Sequence, residues 1–97
     1  MAFADLSSPQ AVRAALAEFD AIGRQAFLRK YGFGPARQYF IVVDGRRYDS
    51  KAIVGAAHGY QFPREGPLRP KDFSGGDATV RRKLEDELDF DVEVLPG

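Results

Sequence analysis

Asp49, Ser50 and Lys51 stand in the order Asp-x-Lys, the form in which a metal-dependent nuclease holds a cation on a carboxylate and polarises water beside an amine. Such a centre needs a second acid to share the ion. Asp44 falls in a predicted turn and Asp20 on a predicted helix, so neither is placed to join Asp49. The simpler reading makes Asp49 or Ser50 the cap of a helix. His58 is the only histidine and there is no cysteine, which excludes a two-histidine metal site and the usual zinc combinations. No Gly-x-Ser-x-Gly supplies a serine nucleophile, and no Gly-x-x-x-x-Gly-Lys supplies a phosphate loop. His58 is therefore expected at an interface or in a hydrogen bond. These observations predict no catalytic residue, no metal and no cofactor.

Binding chemistry is better supplied. Arg46, Arg47, Tyr48, Lys51, His58, Arg64, Arg69 and Lys71 form a basic series with aromatic interleaving, the composition that neutralises phosphates and releases counterions. An ordinary solvated surface has the same composition. Ser74, Gly75 and Gly76, in "FSGGD", place backbone N–H groups with little bulk at a helix start, where anions dock. Asp77 competes for those donors in a Ser-x-x-Asp capping box. The formal net charge is zero, yet residues 31–71 carry seven basic and three acidic groups, and residues 72–97 carry three and eight. The basic middle and acidic tail either neutralise each other or occupy opposite faces.

The elements that position these groups follow from spacing. Ser8 before Pro9 opens a helix. Val12, Leu16, Phe19, Gly23 and Phe27 give it one apolar face as far as Tyr31, widened by Ile22 and Leu28. "YFIVVDGRRYD" is a hairpin turning at Asp44-Gly45, which pairs Val43 with Arg46, Val42 with Arg47 and Ile41 with Tyr48. Arg46 and Tyr48 then project to one side and Arg47 to the other. "KAIVGAAHGY" is a helix closed by Gly59 and Pro63, burying Ile53, Ala56, Ala57 and Tyr60 and turning Lys51, Val54, Gly55 and His58 to a more polar side. "QFPREGPLRPKDFSGGD" is a loop. "GGDATVRRKLEDEL" is a helix with the seam Val80, Leu84 and Leu88, and its charges form i,i+4 pairs. "FDVEVL" is a strand that joins the hairpin.

With 97 residues, eight Phe and four Tyr, one domain over residues 1–97 has core enough to fold without disulfides. The start "MAFADLSSPQ" has neither the basic region nor the apolar core of a signal peptide, and no apolar run spans a bilayer. A cytoplasmic protein with no membrane partner is expected.

"YFIVVDGRRYDSKAIVGAAHGY" and "LRPKDFSGGDATVRRKL", ending in "FDVEV", resemble the N-terminal head domain of McrA-like HNH restriction endonucleases of the ScoMcrA type. The most specific stretches are "RYDSKAIVGAA" and "DFSGGDATV". By this resemblance Tyr48, Asp49, Ser50, Lys51, Ser74, Gly75 and Gly76 belong to the family pattern. In that family the head precedes domains that read modified or phosphorothioate DNA and an HNH nuclease domain. The cleavage chemistry lies in that last domain and is not carried over to this chain, so no enzyme is expected. The expected fold is α+β: a long N-terminal helix, a hairpin and C-terminal strand in a small antiparallel sheet, and two further helices packed on it. The expected function is a non-catalytic DNA-associated recognition module of a phage-defence restriction system. Its candidate contacts are Arg46, Arg47, Tyr48, Lys51, His58, Arg69, Lys71, Ser74, Gly75 and Gly76; base or modification readout would in addition need Tyr48 or Tyr60 to stack on an extruded base. Expected partners are DNA, modified or not, and downstream nuclease domains or a partner nuclease. The rival reading is a protein-interaction or homodimerisation module in which Phe40 and Val42, or the second helix, present an apolar patch rimmed by Arg47.

Overall fold

Ser8 and Pro9 start the first helix as their chemistry requires. The Ser8 hydroxyl accepts from the Ala11 N–H at 3.1 Å, and proline at the first position loses no hydrogen bond. In the computed structural model, which describes residues 3–73 and 76–96, this helix α1 spans Pro9–Ile22. The single long helix expected to reach Tyr31 is broken. Gly23 has φ +89°, a conformation cheap only for glycine, and the chain restarts as α2, Arg24–Tyr31. Val12, Leu16, Phe19, Phe27 and Leu28 are buried, whereas Ile22 is turned out to solvent.

The hairpin forms in the expected register. Strands β1 (Tyr39–Val43) and β2 (Arg46–Asp49) pair Val43 with Arg46, Val42 with Arg47 and Ile41 with Tyr48. Asp44 and Gly45 take φ of 51° and 78°, the two positive values a type I′ turn requires. The last strand, β3 (Asp91–Val94), pairs antiparallel with the free edge of β1, giving the order β2-β1-β3. The fold is the expected α+β.

Helix α3, Ser50–Gln61, runs through Gly59 instead of stopping there. Neither Asp49 nor Ser50 caps it with a side chain. The Ser50 hydroxyl donates to the Tyr39 carbonyl at 3.1 Å, and Asp49 is engaged elsewhere. The expected two-sided character of α3 is also corrected. Ile53, Ala56 and Ala57 are buried, but so are Val54, Gly55 and His58, while Tyr60 is exposed. The reason is that α1, α2 and the helix beginning at Asp77 all pack on α3, and the following loop lies along its remaining side. On that side the Leu68 N–H donates to the Gly55 carbonyl at 3.0 Å.

Helix α4, Asp77–Arg82, continues as a wider π-helical turn over Lys83–Glu87. Its seam Val80, Leu84 and Leu88 is buried as expected. The Ser74–Asp77 capping box lies outside the described residues. Of the expected i,i+4 pairs, Arg81–Glu85 and Lys83–Glu87 form at 3.1 and 2.9 Å. Lys83 is not a surface charge, however. Its ammonium is buried and donates to the carbonyls of Ala4 and Leu6 at 2.9 and 3.0 Å, which fastens the N-terminal segment to α4. Among the described residues no helix is long and apolar enough to cross a membrane.

Candidate nucleic-acid interface

The basic series divides between two places. On the hairpin each arginine meets an acid. Arg46 lies 3.3 Å from Asp20, and Arg47 donates to both Glu93 oxygens at 2.6 and 3.1 Å. The Arg47 hydrogen bonds hold the Glu93 carboxyl below the ordinary carboxylate range. Arg46 and Tyr48 share a face and Arg47 takes the other, as the register predicted. Tyr48 is buried, its hydroxyl donating to Asp20 at 2.9 Å and its ring set edge-on against Phe19 with centroids 5.0 Å apart. It is packed as core and cannot contact or stack on DNA.

His58 takes the hydrogen-bonded role expected of it and, being buried, is likewise corrected as a DNA contact. Its ring is buried, with Nδ1 2.8 Å from the Gly66 carbonyl and the Phe62 ring beside it. It locks the returning loop onto α3. Among the described residues Nε2 has no hydrogen-bond partner.

The second place is a cleft of about 380 Å³ between the segment Phe33–Tyr39, the start of α3 and Pro70. Lys51 lines it and pairs with the half-exposed Asp77 at 3.3 Å. Arg37 also lines it, is exposed, and has no ion pair or hydrogen bond among the described residues. Lys71, next to Pro70, is exposed and equally unpaired among the described residues. The guanidinium of Arg69 sits where the α2 chain turns: its Nη1 is 3.8 Å from the position a Cβ on Gly32 would take. Of the predicted set the cleft is lined by Lys51 alone, and it adds Arg37; Arg69 and Lys71 flank its lining residue Pro70 in the chain. Arg37 belongs to the basic middle of the sequence, but "GFGPARQ" has no periodicity that would assign it a direction. Of the remaining predicted contacts, Gly76 is exposed ahead of α4, and Ser74 and Gly75 lie outside the described residues.

The inner wall of this cleft explains Asp49. Its side chain is 3% exposed and accepts from Arg24 Nε and Nη2 at 2.9 and 2.8 Å and from the Ala36 N–H at 2.8 Å. This fork-to-fork pair is the strong geometry for a carboxylate, and it pins the Phe33–Tyr39 segment to the sheet. Lys51 points to Asp77 instead, so the Asp-x-Lys order serves two separate ion pairs. Among the described residues no group of three or more acids and histidines is placed to hold a metal.

At the far end of α3 lies a shallower groove of about 310 Å³, lined by Tyr31, Tyr60, Pro63, Pro67 and the glycines 59 and 66. Both tyrosine hydroxyls donate to Glu18, Tyr60 at 2.9 Å, and Lys30 pairs with the same carboxylate. Burial alone would raise the Glu18 carboxyl, but the hydrogen bonds from Lys30, Tyr31 and Tyr60 outweigh it and hold the group below its ordinary 4.5. Burial, reinforced by Glu18, pushes the Tyr31 hydroxyl well above its usual range. A depressed carboxyl stabilises the fold above its unfolded value, and the gain is lost as pH falls through the folded one. Glu18→Gln is therefore expected to lower stability by about 1–2 kcal/mol near neutrality. Urea midpoints should show the gap from wild type holding from about pH 7 to about pH 5 and shrinking as pH falls below about 4.

The chain matches the family model of the ScoMcrA-like N-terminal head domain over residues 4–94. None of the curated proteins matches it. Among solved structures it is similar to the Type IV phosphorothioation-dependent restriction endonuclease ScoMcrA, with 29% identity and a TM-score of 0.68. The similarity covers 96% of this chain and 14% of that one, so the chain spans about one seventh of that endonuclease. The chain belongs to the ScoMcrA-like N-terminal head domain family.

Proposed function

We propose that the domain is a non-catalytic DNA-associating module that attaches to the phosphate backbone through the cleft around Arg37, Lys51, Arg69 and Lys71. The observation that carries this reading is the pair of exposed cations, Arg37 and Lys71, unpaired among the described residues, beside a cleft whose lining Lys51 pairs with a half-exposed Asp77. An exposed ion pair contributes little to stability, about 0–1 kcal/mol, so a phosphate can displace Asp77 at small cost. The similarity to a restriction endonuclease makes DNA the polyanion that fits. Arg46 and Arg47 are secondary contacts, because Asp20 and Glu93 already neutralise them. Gly76, exposed ahead of α4, is a further candidate contact. The module works beside a nuclease, in the same chain or a partner, within a phage-defence system acting in the cytoplasm.

Titration with duplex DNA, modified and unmodified, at about 50 and 200 mM salt tests this. Binding should weaken steeply with salt, and Arg37→Ala and Lys71→Ala should each reduce the slope of log affinity against log salt by about one. Absence of binding at the lower salt would refute it. The other reading, a protein-interaction or homodimer surface, draws on the sheet face opposite Ile41 and Tyr48, where Phe40 and Val42 are half-buried beside the Arg47–Glu93 pair. A concentration-dependent rise in mass would favour self-association there.

A further inference from the structure

The Tyr31–Tyr60 groove carries chemistry that phosphate contacts leave unused. Tyr60 is 45% exposed, and no aromatic or cationic group stacks on its ring among the described residues. Pro63 and Pro67 give flat apolar walls, and the two glycines leave backbone as the floor. Glu18 accepts both tyrosine hydroxyls, which leaves the groove ring faces rather than free donors. A polyproline peptide is bound by aromatic grooves of this kind, but its backbone has no internal hydrogen bonds, and here no hydroxyl is free to donate to its carbonyls. A stacked base needs only the faces.

The charges around the groove point the same way. Arg64, next to Pro63, is exposed and unpaired among the described residues. Arg69 lies at Gly32, between Tyr31 in the groove and Phe33 in the cleft. Arg69 thus sits beside the residue that separates a groove-lining side chain from a cleft-lining one in the chain. Along α3, Lys51 and Tyr60 are nine residues apart, a rise of about 14 Å, or about four steps of one strand at B-form spacing. We infer that the groove is a stacking site for an unpaired base, so that the domain holds single-stranded or locally opened DNA with its backbone in the cleft and a base on Tyr60. Aromatic platforms beside a cationic track are how single strands are bound without sequence preference.

This inference rests on the cleft's binding DNA backbone, and the test separates the two. A short oligodeoxynucleotide containing one 2-aminopurine is titrated as single strand and as duplex, against wild type, Tyr60→Ala and Tyr60→Phe. Stacking predicts quenched 2-aminopurine fluorescence with the single strand. Tyr60→Ala should weaken single-strand binding about tenfold, within the range for loss of one stacked base. Duplex affinity should be unchanged by that substitution, and Tyr60→Phe should bind like wild type because the hydroxyl serves only Glu18. If both DNA forms bind with a steep salt dependence but Tyr60→Ala alters neither, the backbone reading stands and the stacking site is refuted. If neither form binds at low salt, both fall. If a polyproline nonapeptide binds in a Tyr60-dependent way and the single strand does not compete, the groove belongs to a peptide and the inference is overturned.

Discussion

Arg24→Ala lowers the thermal unfolding midpoint by about 15 °C, the shift that a loss of about 3 kcal/mol produces in a domain of this size. The reason is the asymmetry of its ion pair. The Asp49 side chain is 3% exposed, whereas that of Arg24 is 47% exposed. Removing the guanidinium leaves a buried carboxylate with only the Ala36 N–H to solvate it, and an uncompensated buried charge is the costly outcome. Asp49→Asn is milder, at about 1 kcal/mol, since an amide oxygen still accepts from Ala36 and the released guanidinium is partly in water. Differential scanning fluorimetry of the two variants checks the order. A larger loss for Asp49→Asn than for Arg24→Ala would contradict the account.

Gly55→Ala is expected to cost about 2 kcal/mol, or roughly 10 °C in Tm, although alanine is the better helix former by about 1 kcal/mol. A Cβ there would stand 2.7 Å from the Leu68 carbonyl oxygen and 2.9 Å from Cζ of Phe33. The nearer obstacle is backbone, and it is tied down, because the Leu68 N–H donates to the Gly55 carbonyl. The loop must lift away or the helix must bend. Gly34→Ala is the control: nothing lies within 4 Å of its Cβ position, and the change should stay within about 0.5 kcal/mol. Equal effects at the two positions would mean that the close approach of loop and helix is not what Gly55 secures.

What was legible in the sequence was local. Ser8-Pro9, Asp44-Gly45 and the Val80, Leu84, Leu88 seam each encode their structure within a few residues, and strand alternation carried the hairpin register correctly. What was not legible depended on partners far along the chain. Gly23 fits the apolar spacing of one helix, and only its positive φ reveals two. Asp49 reads as a cap because its partner, Arg24, is 25 residues away. His58 and Lys51 share a helical stripe, yet one is locked inside by the returning loop and the other lines an open cleft. Lys83 sits among i,i+4 charges, and nothing nearby announces that it reaches the carbonyls of Ala4 and Leu6. The candidate cleft was half legible for the same reason: Lys51 stands in the basic series of the sequence, but the place of Arg37 in the cleft and the Tyr31–Tyr60 groove exist only once the loops are in place.

The order β2-β1-β3 has a consequence for how the chain is made. The central strand is translated before either neighbour, and its β2 side is satisfied almost at once by the hairpin. Its other edge waits for β3, roughly 50 residues later, which at ~5–20 residues per second of synthesis is an interval of about 3–10 s. Throughout that time the nascent protein carries Tyr39–Val43, an apolar strand with one open edge of the kind that recruits stray chains. Helices α1 and α3, both translated before β3, make the most extensive helix contact of the fold and can form before β3 exists. The newborn domain is in this sense a helical pair guarding a half-built sheet, completed only when its last strand leaves the ribosome.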